Sequence, residues 1–149
     1  MYKHILLPTD GSPLSTAAVK AAVALARPLR ARITALHVVP PFKPPAFIDG
    51  VVPMPELYSP EAYRLSTERN AQRIFAKIAV RAKAARVKLD TVIATGDPAW
   101  SEIIRVAKAK RCDLIVMASH GRRGIAGVVL GSQASRVLTR SKIPVLVCR

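Results

Sequence analysis

The sequence predicts an α/β fold, an open five-stranded parallel sheet with helices on both faces. Two observations carry this. Short apolar runs alternate with helical segments along all 149 residues, the order β-α-β-α-β-α-β-α-β expected of successive βα units. The apolar runs are continuous rather than alternating, as in strands buried on both faces. A chain of this length makes one domain, residues 1–149, that buries a core without disulfides or metals.

Lys3–Leu7 reads as the first strand, ended by Pro8. Ser12-Pro13 reads as a helix cap followed by proline at the first helical position, opening an alanine-rich amphipathic segment to about Arg30. Arg32–Val39 is the second strand. Pro60–Lys88 has apolar residues at 71, 74, 75, 78, 82 and 85, which is helical spacing. Leu89–Thr95 is the third strand, and Gly96-Asp97-Pro98 turns into a helix over about Ala99–Lys110. Asp113–Met117 is the fourth strand, Ser132–Thr139 the last helix and Val145–Cys148 the final strand.

Residues 40–60 interrupt this order. Seven of the twelve prolines lie there, among Phe42, Phe47, Ile48 and Met54. So proline-dense a loop cannot pair as a central strand. It is either a mobile flap or a cover for a ligand pocket or a partner subunit.

Composition narrows the function classes. With 24 basic against 9 acidic residues the formal charge is +15, which favours acidic partners. Yet the basic residues are dispersed along the chain and aromatics are 5%. No aromatic platform suits single strands, so a solvated surface is the ordinary reading and nucleic acid is not an expected partner. Arg69, Arg73, Lys77 and Arg81 form a basic row at i, i+4 spacing, again a solvated face. No apolar run reaches the roughly 18 residues that span a bilayer. The N-terminal stretch ends at Pro8 and an acid, unlike a signal peptide. Cytoplasm is the expected compartment, with Cys112 and Cys148 as reduced thiols. The three histidines are scattered and make no metal set.

Two loops after strands carry ligand-like residues, Pro8-Thr9-Asp10-Gly11-Ser12 and Ala118-Ser119-His120-Gly121. In open parallel sheets ligands bind beyond the carboxyl ends of the strands, where strand order reverses. If the first and fourth strands are neighbours, these loops face each other. Asp10 could accept from ribose hydroxyls or hold a divalent ion, or could only cap the first helix. His120 could face the ligand or only bond to backbone. Gly121, Gly131 and Ser132 could offer N–H groups and a hydroxyl to phosphates at a helix N-terminus, with Arg122 and Arg123 adding positive charge. No Gly-Lys-Ser/Thr occurs, so this is not a Walker-A loop.

Lys3-His4-Ile5-Leu6-Leu7-Pro8-Thr9-Asp10-Gly11-Ser12, Leu36-His37-Val38, Gly96-Asp97-Pro98, Ala118-Ser119-His120-Gly121 with Gly131-Ser132, and Ile143-Pro144-Val145-Leu146-Val147 together resemble the universal stress protein family. The resemblance runs the length of the chain. It implies strand order 3-2-1-4-5 in a Rossmann-like, adenine nucleotide alpha hydrolase-like fold. It further implies a homodimer paired through the edge strand at Val145, Leu146 and Val147.

Family members that bind ATP carry Gly-x-x-Gly, nine residues, then Gly-Ser/Thr. Here the pattern is Ala118-Ser119-His120-Gly121, nine residues, Gly131-Ser132, with Ala118 in place of the first glycine. Carried over residue by residue, Asp10 beside Pro8 and Thr9 meets ribose or Mg2+, and the backbone at Val38 meets adenine. Met117 and Ala118 line the ribose side, while His120, Gly121, Arg122, Gly131, Ser132 and Gln133 surround the phosphates.

The resemblance therefore implies a stress-response or signalling module binding ATP or AMP with Mg2+, non-catalytic or at most a slow ATPase. Asp10 and His120 are the candidates for such a role, but no nucleophile–base pair stands out in the sequence. A dimeric interaction protein without nucleotide is the alternative. Ala118 divides them. A Cβ costs on the order of 1 kcal/mol if the position requires positive φ, and little if the backbone is extended.

Overall fold

The structure, a computed structural model, describes residues 1–44, 59–120 and 130–149. It contains β1 (His4–Pro8), α1 (Ser15–Leu29), β2 (Arg32–Val39), α2 (Pro60–Ala84), β3 (Leu89–Thr95), α3 (Ala99–Ala109), β4 (Leu114–Ala118), α4 (Ser132–Arg140) and β5 (Val145–Cys148). The strands form one parallel sheet in the order β3-β2-β1-β4-β5, as the resemblance implied. The register sets Ile5 beside Ile33 on one side and Leu114 on the other.

Alternation along the strands divides the core into two layers. Ile5, Leu7, Ile33 and Val116 face α1 and α2, packing with Ala18, Ala22, Ile74, Phe75 and Ile78. Leu6, Leu36, Ile115 and Met117 face α3 and α4, packing with Ile103, Val106, Ala134 and Val137. The α2 positions read from helical spacing, Ala71, Ile74, Phe75, Ile78 and Ala82, are all buried. The basic row Arg69, Arg73, Lys77 and Arg81 lies on the exposed side of that helix.

Three expectations shift. Regular helix α1 begins at Ser15 rather than at Pro13. Ser12 nevertheless caps it, because its Oγ and carbonyl oxygen both accept the Ser15 N–H, at 3.3 and 3.1 Å. Helix α2 stops at Ala84, short of Lys88, because Arg86 turns to φ 57° and the chain enters β3. Continuous burial holds for β1 and most of β2 and β4, but edge strand β3 exposes Asp90, Thr91, Ile93 and Thr95. An edge strand has a strand neighbour on one side only, so more of it reaches solvent. Residues 45–58, most of the proline-rich loop, lie outside the described residues. No helix among the described residues is long and apolar enough to cross a membrane.

Candidate functional site

Strands β1 and β4 are hydrogen-bonded neighbours, and chain order departs in opposite directions on either side of them. Ligand crevices of open α/β sheets lie at this switch point. A cleft of about 410 Å³ opens there at the carboxyl ends of the strands.

The first wall is the loop after β1. Asp10 lines the cleft, and its Oδ1 accepts the Ser12 N–H at 2.9 Å, a turn that fixes the carboxylate. Thr9 is buried, with its hydroxyl at 3.1 Å from Ser15 Oγ and accepting the Gly11 N–H at 3.2 Å. Its N–H donates to the Leu36 carbonyl at 2.9 Å, and its own carbonyl lies 2.9 Å from His37 Nδ1. Thr9 is thus a scaffold that ties β1 to β2, not a free ligand group. Gly11 takes φ +75°, where a side chain would also strike Ile74.

The second wall is the end of β4 and the start of α4. The Ser119 carbonyl accepts the Gly131 N–H at 2.7 Å. A Cβ on Gly131 would lie 2.8 Å from that oxygen and 3.4 Å from His120 Cα. Glycine is needed here for close approach; its backbone, at φ −68°, is unstrained. Helix α4 has no side-chain cap. The N–H groups of its first turn are therefore open to an anion at the positive end of the helix. No lysine or arginine lines the described cleft. Anion-binding capacity among the described residues comes from backbone N–H groups, the Ser132 hydroxyl and His120.

Ala118 is the last residue of β4, in register with Cys148. Among the described residues, those with positive φ other than glycine are Arg30, Arg86 and Arg111, so Ala118 carries no left-handed strain. It packs against the α1-facing core layer, whereas Met117 faces α3 and α4. The alanine keeps the strand as it stands.

The universal stress protein family model matches residues 1–149. The chain belongs to this family. It is 34% identical to universal stress protein MJ0531 of Methanocaldococcus jannaschii, over 100% of this chain and 83% of that one. The structure of universal stress protein UspA from Lactobacillus plantarum matches with a TM-score of 0.76 at 28% identity, covering 99% of this chain and 98% of that one. A universal stress protein crystallised in complex with cAMP matches with a TM-score of 0.69 at 26% identity, covering 99% and 97% of the two chains.

In this universal stress protein fold, Pro8, Thr9, Asp10, Val38, Met117, Ala118, His120, Gly131, Ser132 and Gln133 meet around one cleft. Gly121 and Arg122 lie outside the described residues. Gln133 has a second duty: its Oε1 accepts the Trp100 N–H at 2.9 Å, capping the start of α3. His120 places Nδ1 3.1 Å from Ser119 Oγ, and its buried Nε2 has no hydrogen-bond partner among the described residues.

Sequence reasoning assigned no site role to Pro40, Asp97 or Ile103, which also line the cleft, as does Ser119 of the loop it singled out. Asp97 had a signal, since Gly96-Asp97-Pro98 is a polar loop directly after a strand. Ile103 had none, because an apolar residue on α3 reads only as core. Near the cleft mouth the Tyr63 hydroxyl donates to the Pro40 carbonyl at 2.7 Å, and Lys43 lies 3.9 Å from Asp97.

Proposed function

We propose that this universal stress protein binds an adenine nucleotide, ATP or AMP with Mg2+, in the β1–β4 cleft as a stress-response or signalling module. One observation carries the reading. Gly131 leaves no room for a Cβ against Ser119 and holds the uncapped start of α4 beside the cleft, a cradle suited to phosphate. The buried His120 Nε2, without a hydrogen-bond partner among the described residues, adds a polar group beside it. Asp10 lines the same cleft, and on this reading it meets ribose or a phosphate-bound Mg2+. The described residues hold no group of three or more metal-ligating side chains, so Mg2+ would arrive with the phosphates. The relative crystallised with cAMP supports adenine chemistry in this fold.

The module is non-catalytic or at most a slow ATPase. Transfer of a phosphoryl group to water requires a positioned nucleophile and charge stabilisation, and Asp10 and His120 are the candidates for any residual turnover. Phosphate release unchanged by replacing both removes hydrolysis from the function. The alternative, an interaction protein without nucleotide, rests on Ala118; its extended backbone carries no left-handed strain, so only the clearance its methyl takes from the cleft supports that reading.

A homodimer through β5 is part of the proposal. Among the described residues that strand pairs only with β4, on one side, and it exposes Leu146. An open apolar edge favours strand pairing with a second copy. Leu146→Lys is expected to convert dimer to monomer in light scattering. The proposed compartment is the cytoplasm, where Cys112 and Cys148, both free thiols, stay reduced.

Calorimetric titration with Mg-ATP, AMP and cAMP tests the nucleotide reading. Saturable one-site binding is expected, together with excess absorbance at 260 nm if the purified protein retains nucleotide. No heat at millimolar ligand overturns it.

A further inference from the structure

Six basic residues, dispersed along the chain, gather at the end of the sheet opposite the cleft. There a groove of about 400 Å³ is lined by Lys3, Arg27, Arg30, Arg32, Arg86 and Lys88, with no acidic residue in its wall. All six side chains are exposed. None makes an ion pair or side-chain hydrogen bond with a described residue. The neighbouring carboxylate of Asp113 is occupied by the backbone N–H groups of Lys3 and His4, at 2.7 and 3.0 Å. Six like charges around one concavity repel one another and raise the potential inside it.

Backbone conformation shapes the groove rim, although Arg111, outside the groove, takes the same left-handed conformation after α3. Arg30 and Arg86 stand in the left-handed region, at φ 52° and 57°, just beyond the C-terminal ends of α1 and α2. Glycine is the usual residue there because a Cβ is strained. The helix dipoles do not require these two cations, since Arg27 and Lys83 already serve the last turns. Arginine at both positions sets two guanidinium groups on the groove rim at a conformational cost.

The geometry points to a second anion site: this groove binds an inorganic oligophosphate chain such as triphosphate. Guanidinium and ammonium groups supply donors only, so the ligand must present acceptors on all sides. The wall holds no side-chain acceptor for sugar hydroxyls and no aromatic ring for a base. Its small volume suits a short chain of phosphates rather than a duplex.

The test is calorimetric titration of the full chain with sodium tripolyphosphate at fixed ionic strength. Three variants accompany the parent: Arg30→Gly/Arg86→Gly, Arg32→Gln/Lys88→Gln and Gly131→Val. The parent is expected to bind one equivalent in the groove, separate from any that the cleft takes up. The glycine pair is expected to lose affinity by about tenfold or more while melting no lower, because glycine relieves the strain at both sites. The exposed glutamine pair loses affinity similarly if the glycine pair fails to fold, and Gly131→Val, which disrupts the cleft, keeps the equivalent that the groove variants lose. Undiminished binding by both groove variants overturns the site. So does loss in Gly131→Val alone, which would place the anion in the nucleotide cleft. Non-saturating binding, or tighter groove-dependent binding of a DNA duplex, also overturns it.

Discussion

The Gly131 N–H and the Ser119 carbonyl oxygen are 2.7 Å apart, and a Cβ on Gly131 would sit 2.8 Å from that same oxygen. This contact joins the end of β4 to the start of α4 and sets the width of the phosphate cradle. Gly131→Val therefore breaks the cradle from inside. Affinity for Mg-ATP is expected to fall by about tenfold or more, a loss of about 1.4 kcal/mol, with the sheet and its circular dichroism retained. Binding equal to the parent's would separate the cradle from the nucleotide.

Ala118→Gly restores the residue of the ATP-binding pattern. Because Ala118 lies in extended backbone within β4, glycine gains nothing there and loses strand preference. Stability is expected to drop by about 1 kcal/mol in urea denaturation. Nucleotide affinity should change less than about twofold, since no strain is relieved. A large gain in affinity would show that the methyl obstructs the site.

Gln133 links two helices through the Trp100 N–H. Gln133→Ala removes the acceptor from the first turn of α3 and is expected to cost about 1 kcal/mol, as other N-terminal caps do. Gln133→Glu keeps an acceptor and should preserve the melting temperature. Equal loss in both variants would assign the effect to the amide donor instead.

His4 is buried with Nε2 2.7 Å from Thr34 Oγ1. Burial, and then the nearby Arg32 charge, hold its pKa below the ordinary 6.5. The unfolded chain thus takes up a proton that the folded chain resists. The contribution to stability is complete above 6.5 and is lost as pH falls through that value toward the folded pKa. Melting temperature should decline through this window, and His4→Gln should flatten that part of the profile. An unchanged slope in the variant would remove His4 as its source.

Much of the architecture was legible because its signals are local. Helical spacing marked Ile74, Phe75 and Ile78 as the buried face of α2, and continuous apolar runs marked β1 and β4. Boundaries moved where one residue's backbone decides them, as at Ser15 and Arg86. Asp10 and Gly131 were legible because polar and glycine residues directly follow a strand or precede a helix. Ile103 and the second duty of Gln133 were not, since each depends on packing between segments distant in sequence.

The chain by itself determined the order of its elements, its family pattern and the residues able to form a phosphate cradle. All of these rest on neighbours within a few turns of chain. Tertiary structure alone decided that Ala118 carries no strain, that Gly131 has no room for a side chain, and that Lys3, Arg32 and Lys88 share one groove. Those properties depend on which strands lie side by side. Parallel pairing brings Lys3, Arg32 and Lys88 together at the starts of β1, β2 and β3, although they are far apart in the sequence.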